Sequence, residues 1–209
     1  RRVLFRSGVV KSMVPDPWAN LKSLTAARIA LGRSGGSLPT RELLDFSLAH
    51  ARARDAVLAP FDVERIAVAI ATLEVEALIL SSAARSRDEY LQRPDLGRRL
   101  GDVSRDILQR LATDPVDLAI VVSDGLSSLA AERQVFPLLA ELLPRLRHDG
   151  WRMSPVVVVR FGRVAIQDEI GAALNAAMSL ILLGERPGLC SPDSLGAYLV
   201  YDPQRGRTD

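Results

Sequence analysis

One cysteine, two histidines and an aromatic content of 5% leave little material for several kinds of chemistry. Cys190 has no second cysteine to pair with, so no intrachain disulfide can form, which suits a reducing compartment. His50 and His148 lack a cysteine or second histidine at ligand spacing, and no zinc centre is expected. No His–Asp relay can be read beside Cys190, which argues against a nucleophilic role. Neither a G-x-G-x-x-G fingerprint nor a P-loop occurs among the 14 glycines. The longest apolar runs have the length of a strand, far short of the ~20 residues a membrane-spanning helix needs. The first ten residues lack the apolar core of a signal peptide. The net charge is only +2, and aromatics are not interleaved with Lys and Arg, so no nucleic-acid partner is expected.

What remains is a chain of 209 residues, 48% hydrophobic, long enough for one sizeable core or two modest ones. Leu, Val, Ile and Ala must build it. Charge is unevenly spread: residues 1–60 carry ten Lys/Arg against four Asp/Glu, a balance of +6, which leaves −4 for the rest. Residues 1–20 read as an irregular arm, with Pro15 and Pro17 around Asp16. Thr25 heads a short helix through Leu31. Gly32 to Gly36, with Arg28 and Arg33, reads as a structural turn or a small anion nest. Helices are expected over about 41–58, stopped by Pro60, with His50 half-buried in the first, and over 62–72. Residues 21–75 are thus expected to form a helical N-terminal domain.

From residue 76 short apolar runs dominate. Strands are expected over 77–80, 116–122, 156–160, 179–183 and 197–201. Helices are expected over 103–111, 126–146 (bent or split at Pro137) and 168–177. Gly162-Arg163-Val164 reads either as a plain turn or as a tight hairpin, with 164–166 returning along 156–161. Apolar strands separated by helices point to an α/β fold: a helical N-terminal region, then a Rossmann-like, mostly parallel sheet with helices on both faces over 76–209. Whether the 77–80 strand joins that sheet is left open.

Ligands of such sheets bind beyond the carboxyl ends of the strands. Three strand ends are polar. Ser123-Asp124-Gly125 opens a helix, where Asp124 either caps the helix or meets a ligand beside the free amides. In Gly184-Glu185-Arg186-Pro187-Gly188, Glu185 can accept an amide or hydroxyl hydrogen bond and Arg186 can hold an anion; the alternative is a surface ion pair on a turn. Gly162-Arg163-Val164 is the third. No self-contained catalytic constellation is legible, which suits a binding subunit or half of a composite site.

Several long segments carry a resemblance: Leu24 to Arg33, Ser37 to Glu42, Ala49 to Val57, Arg87 to Arg98, Ser123 to Ser127, Gly162 to Val164, Asp168 to Gly171 and Gly184 to Leu189. Together they resemble the small (light) subunit of ethanolamine ammonia-lyase, from about Trp18 to Asp209. The resemblance implies conversion of ethanolamine to acetaldehyde and ammonia by a radical mechanism that depends on adenosylcobalamin. It implies a hetero-oligomer in which a TIM-barrel large subunit binds ethanolamine and the small subunit covers the cobalamin from the other side. The cofactor contacts carried over are Val164 and Glu185, with no catalytic residue or metal ligand in this chain. The isolated chain is then inactive and binds free cobalamin weakly. The family continues past Arg207-Thr208-Asp209 into a segment whose cysteine also contacts cobalamin, so the 76–209 region is expected to be C-terminally truncated; Cys190 is not that cysteine. The resemblance implies a cytoplasmic location, with packaging in a bacterial microcompartment left open. The alternative is a Rossmann-like scaffold or regulatory module without cofactor.

Overall fold

A computed structural model describes residues 16, 18–111 and 114–206. Two compact units divide the chain, Arg1–Ala51 and Arg52–Asp209. The expected irregular arm lies largely outside the described residues.

In the first unit a 3-10 turn, Ala19–Ser23, precedes α1 (Thr40–Leu58), which continues into the second unit. The helix expected over 25–31 does not form. Thr25 Oγ1 accepts the Ala27 amide in a local turn instead, and Ala30 has φ 51°, which no right-handed helix accommodates. Gly32 to Gly36 makes a tight turn in which Ser34 and Ser37 exchange two backbone hydrogen bonds. His50 is exposed, not half-buried, and stacks on Phe46.

The second unit is built on one five-stranded sheet: β1 (Ala77–Ser81), β2 (Val116–Ser123), β3 (Val156–Arg160), β4 (Ala176–Gly184) and β5 (Leu195–Tyr201). The spatial order is β1-β3-β2-β4-β5. The first four strands are parallel, and β5 returns antiparallel along β4. The strand at 77–81 therefore joins the main sheet, paired with β3 from Ala77↔Val156 to Ser81↔Arg160.

Alternation along each strand sends side chains to opposite faces. Leu118, Ile120, Val122, Val156, Val158 and Leu182 enter one core, closed by α2 (Val63–Ala71) and α6 (Ser128–His148). Ala119, Val121, Val157, Val159, Ile181 and Leu183 enter the other, closed by α5 (Asp102–Arg110) and α7 (Ile166–Ala173). Between β1 and α5 lie two short helices, α3 (Arg87–Gln92) and α4 (Pro94–Gly97). Helices thus cover both faces of a mostly parallel sheet. Because α2 places Val63, Ile66 and Ile70 in the first core, it belongs with the sheet, and the compact units divide after Ala51 and not near residue 75.

Two open local readings are decided by the fold. Residues 162–165 do not form a hairpin: β3 is flanked on both sides by parallel neighbours, so no returning strand can pair with it, and the chain turns directly into α7. Helix α6 is not split; it runs through Pro137 and Pro144 as one element. A helix-interior proline costs about 3 kcal/mol, and here the buried stripe of Ala131, Val135, Leu139 and Leu143 offsets that by packing on the sheet.

Candidate functional site

The sheet creates a switch point at its carboxyl edge. Strands β2 and β3 are neighbours, yet β2 leads into α6 on one face and β3 into α7 on the other. The connecting loops diverge there and leave a crevice, the place where open α/β sheets bind ligands. Ser123, the last residue of β2, pairs with Val159 on one side and Leu183 on the other. The loops holding Val164 (after β3) and Glu185 (after β4) therefore leave the same edge, with the Ser123-Asp124-Gly125 loop between them.

That central loop is dry and heavily hydrogen-bonded. Asp124 is 1% exposed, and it does not cap α6 as one sequence reading allowed. The cap is Ser127, whose Oγ accepts the Ala130 amide. The Asp124 carboxylate turns the other way. Its Oδ1 accepts the Phe161 amide at 2.7 Å and the Ser123 hydroxyl at 3.1 Å, and its Oδ2 accepts Arg87 Nη1 at 3.0 Å. Burial nevertheless dominates and pushes its pKa up to about 6, against the pull of Arg87, the Phe161 amide and Ser123.

Arg87 ties three chain segments together. Nη1 also donates to the Gly125 carbonyl at 2.7 Å, Nε donates to the Val57 carbonyl at 2.9 Å, and the guanidinium lies over the Tyr90 ring. Arg163 stacks on the same ring, 4.5 Å from its centroid, and donates to the Tyr90 carbonyl. Tyr90 is buried between these cations, with its hydroxyl pointing to the Gly162 carbonyl. Desolvation raises its pKa to about 12, and the Glu185 charge contributes in the same direction.

Glu185 does not pair with Arg186, which stays exposed. Its Oε1 accepts the Tyr198 hydroxyl of β5, and that bond is the first cause of a raised Tyr198 pKa. Gly196 makes this possible: a methyl group there would collide with Glu185 Oε1. The Glu185 amide donates to the Ser194 carbonyl, so backbone and side chain are both fixed. Val164 is half-buried against the second core, and its amide donates to no group among the described residues. A second glycine sets the loop's height. Gly184 lies directly beneath the β2–α6 loop, its carbonyl accepting the Leu126 amide at 2.8 Å.

The structure thus brings Val164, Glu185 and Asp124 to one edge. Sequence reasoning missed Arg87, Tyr90, Gly196 and Tyr198 as supporting residues. Arg87 lies 37 positions from Asp124, and no local pattern signals that pairing. Cys190 is an exposed thiol, and no group of His, Cys, Asp or Glu among the described residues can hold a metal ion. Among them, too, no helix is long and apolar enough to cross a membrane.

Comparison with known proteins points the same way. The family model described as ethanolamine ammonia-lyase light chain (EutC) matches residues 15–209. The ethanolamine ammonia-lyase small subunit of Pseudomonas fluorescens Pf-5 is 53% identical over 197 residues, covering 93% of this chain and 72% of that protein. The small subunit of Pseudomonas aeruginosa LESB58 is 54% identical over the same shares. That of Ralstonia nicotianae GMI1000 is 51% identical over 98% of this chain and 77% of its own length. A match spanning the sheet, both helical layers and all three edge loops makes this chain a member of the ethanolamine ammonia-lyase light-chain family.

Proposed function

We propose that this chain holds adenosylcobalamin at the carboxyl edge of its sheet, against a TIM-barrel large subunit, in an ethanolamine ammonia-lyase. When bound, the cofactor supplies the radical chemistry that turns ethanolamine into acetaldehyde and ammonia. The chain's own residues bind and orient. Glu185 accepts a side-chain amide at the corrin rim through the oxygen that Tyr198 leaves open. Val164 offers methyl groups to the ring and an unused amide to its periphery. The loops also exclude water from one side of the shared cavity.

The residues suit such a ligand. A corrin has broad apolar faces and a rim of amides, and this edge combines an apolar side chain with a pinned acceptor. The observation that carries the reading is the orientation of Glu185. Its carboxylate is anchored by Tyr198 above Gly196, on the same edge as Val164.

The test is co-expression with the large subunit, followed by titration with adenosylcobalamin and assay of ethanolamine turnover. Glu185→Ala should weaken cofactor binding about 10- to 100-fold, the equivalent of a hydrogen bond to a charged acceptor. The isolated chain should be inactive and bind cobalamin weakly. Failure to co-purify with the large subunit, or unchanged cofactor affinity in Glu185→Ala, would sink the reading.

A further inference from the structure

A cavity of about 350 Å³ opens on the first-core side of the β2–β3 crevice. Neither Val164 nor Glu185 lines it. Its charged lining is Arg85, Arg87, Arg160 and Asp124, and Phe61 and Phe161 supply aromatic walls.

Two buried polar groups of the lining are unsatisfied. Ser128, the first residue of α6, is 1% exposed, and its Oγ has no hydrogen-bond partner. Arg87 spends Nε and Nη1 on Val57, Asp124 and Gly125, but its Nη2 is buried without a partner. Unpaired buried donors are rare because each carries its full desolvation cost, so two of them on one cavity call for a partner there. The cavity also meets the N-terminus of a 21-residue helix. The Ser128 and Leu129 amides donate to no group among the described residues, and the helix dipole adds positive potential there.

The sign of the site follows from its existing pairs. Asp124 is the one acid in the lining and is already held by Arg87, the Phe161 amide and Ser123. Arg160 is held in two hydrogen bonds by Glu64. The exposed Arg85 guanidinium makes no ion pair among the described residues, although its backbone amide donates to Glu89. An arginine donor, a hydroxyl and helix amides, arriving from different elements, suit a tetrahedral oxyanion better than a planar carboxylate, which offers acceptors in one plane only.

We propose that this cavity is a phosphate site, taking inorganic phosphate or the phosphate of a larger ester whose apolar part lies against Phe61 and Phe161. The experiment titrates inorganic phosphate into the chain at constant ionic strength, with chloride as the balancing anion, and reads melting temperature and binding by calorimetry. The Ser128→Ala substitution removes a hydroxyl that makes no internal bond, so the fold keeps every hydrogen bond it has. Arg85→Ala changes an exposed side chain.

Wild type should saturate at one phosphate per chain, and both variants should bind at least tenfold more weakly, with unchanged melting temperature in chloride alone. Repeating the titration with adenosine monophosphate separates the sources. Tighter binding than inorganic phosphate identifies an ester with an apolar part, and equal or weaker binding identifies the free anion. Absence of saturable phosphate binding, or equal affinity in wild type and both variants, overturns the proposal.

Discussion

Gly184→Ala tests the architecture of the carboxyl edge with a single methyl group. Gly184 ends β4 beneath the β2–α6 loop, and an added Cβ would collide with the Ser127 carbonyl oxygen and lie 2.7 Å from the Asp124 carbonyl oxygen. Both obstacles are backbone atoms, so no rotamer change relieves them. The loop must lift, and with it goes the hydrogen bond from the Leu126 amide to the Gly184 carbonyl. Overpacking of this kind costs about 1–3 kcal/mol and the lost bond about 1 kcal/mol, so the sum is roughly 2–4 kcal/mol. With a urea m-value of about 2 kcal/mol/M, the unfolding midpoint should fall by roughly 1–2 M. Circular dichroism during urea unfolding reads this directly. Gly188→Ala is the internal control, because a Cβ there meets nothing closer than 3.8 Å in the same loop. It should stay within about 0.5 kcal/mol of wild type. If Gly184→Ala is equally silent, or the control loses as much, the close approach of β4 to the β2–α6 loop is refuted.

Two titrating groups offer further tests. Burial raises the Asp124 pKa to about 6 from an ordinary 3.8. The folded chain therefore keeps a proton that the unfolded chain releases, and this contribution to stability declines as pH rises from about 4 to 6, then levels off. Asp124→Asn, which keeps an acceptor for the Phe161 amide, should flatten that decline in urea midpoints measured from pH 4 to 7; an identical slope in the variant contradicts the assignment. The other group is Tyr198, whose phenol is raised chiefly by its hydrogen bond to Glu185. Glu185→Gln should bring that titration down toward 10, read from tyrosinate absorbance against a Tyr198→Phe reference. An unmoved titration means that Tyr198 does not anchor the carboxylate.

Much of the fold was legible because it rests on local pattern. The β-branched run Val156–Val159 is too short for a helix and apolar at every position, which is what a strand buried on both faces requires. Pro60 ended one helix, and Asp62 opened the next by accepting the Arg65 amide. The sequence left a turn and a hairpin both open at 162–165, because a hairpin and a βα connection start with the same glycine-bearing pattern. Only the strand order, with β3 enclosed by β1 and β2, tells them apart. Whether Pro137 splits α6 stayed open in the sequence for a related reason: the penalty of Pro137 is local, whereas the packing that offsets it comes from strands elsewhere in the chain. At the candidate site the polar strand ends stood out in the sequence, Glu185 among them. Tyr198 and Gly196 did not, since β5 reaches Glu185 only by pairing antiparallel with β4.

The amino-acid sequence by itself determined the alternation of strands and helices, the family, and the polar loops at the strand ends, because periodicity, turn chemistry and motifs are carried by neighbours in the chain. Tertiary structure alone decided that Asp124 faces Arg87 instead of capping α6, that Glu185 leans on Tyr198, and that Ser128 and Arg87 share a cavity with donors to spare. Those are relations between residues tens of positions apart. They depend on strand order and on which face each helix covers, and no sequence window contains either.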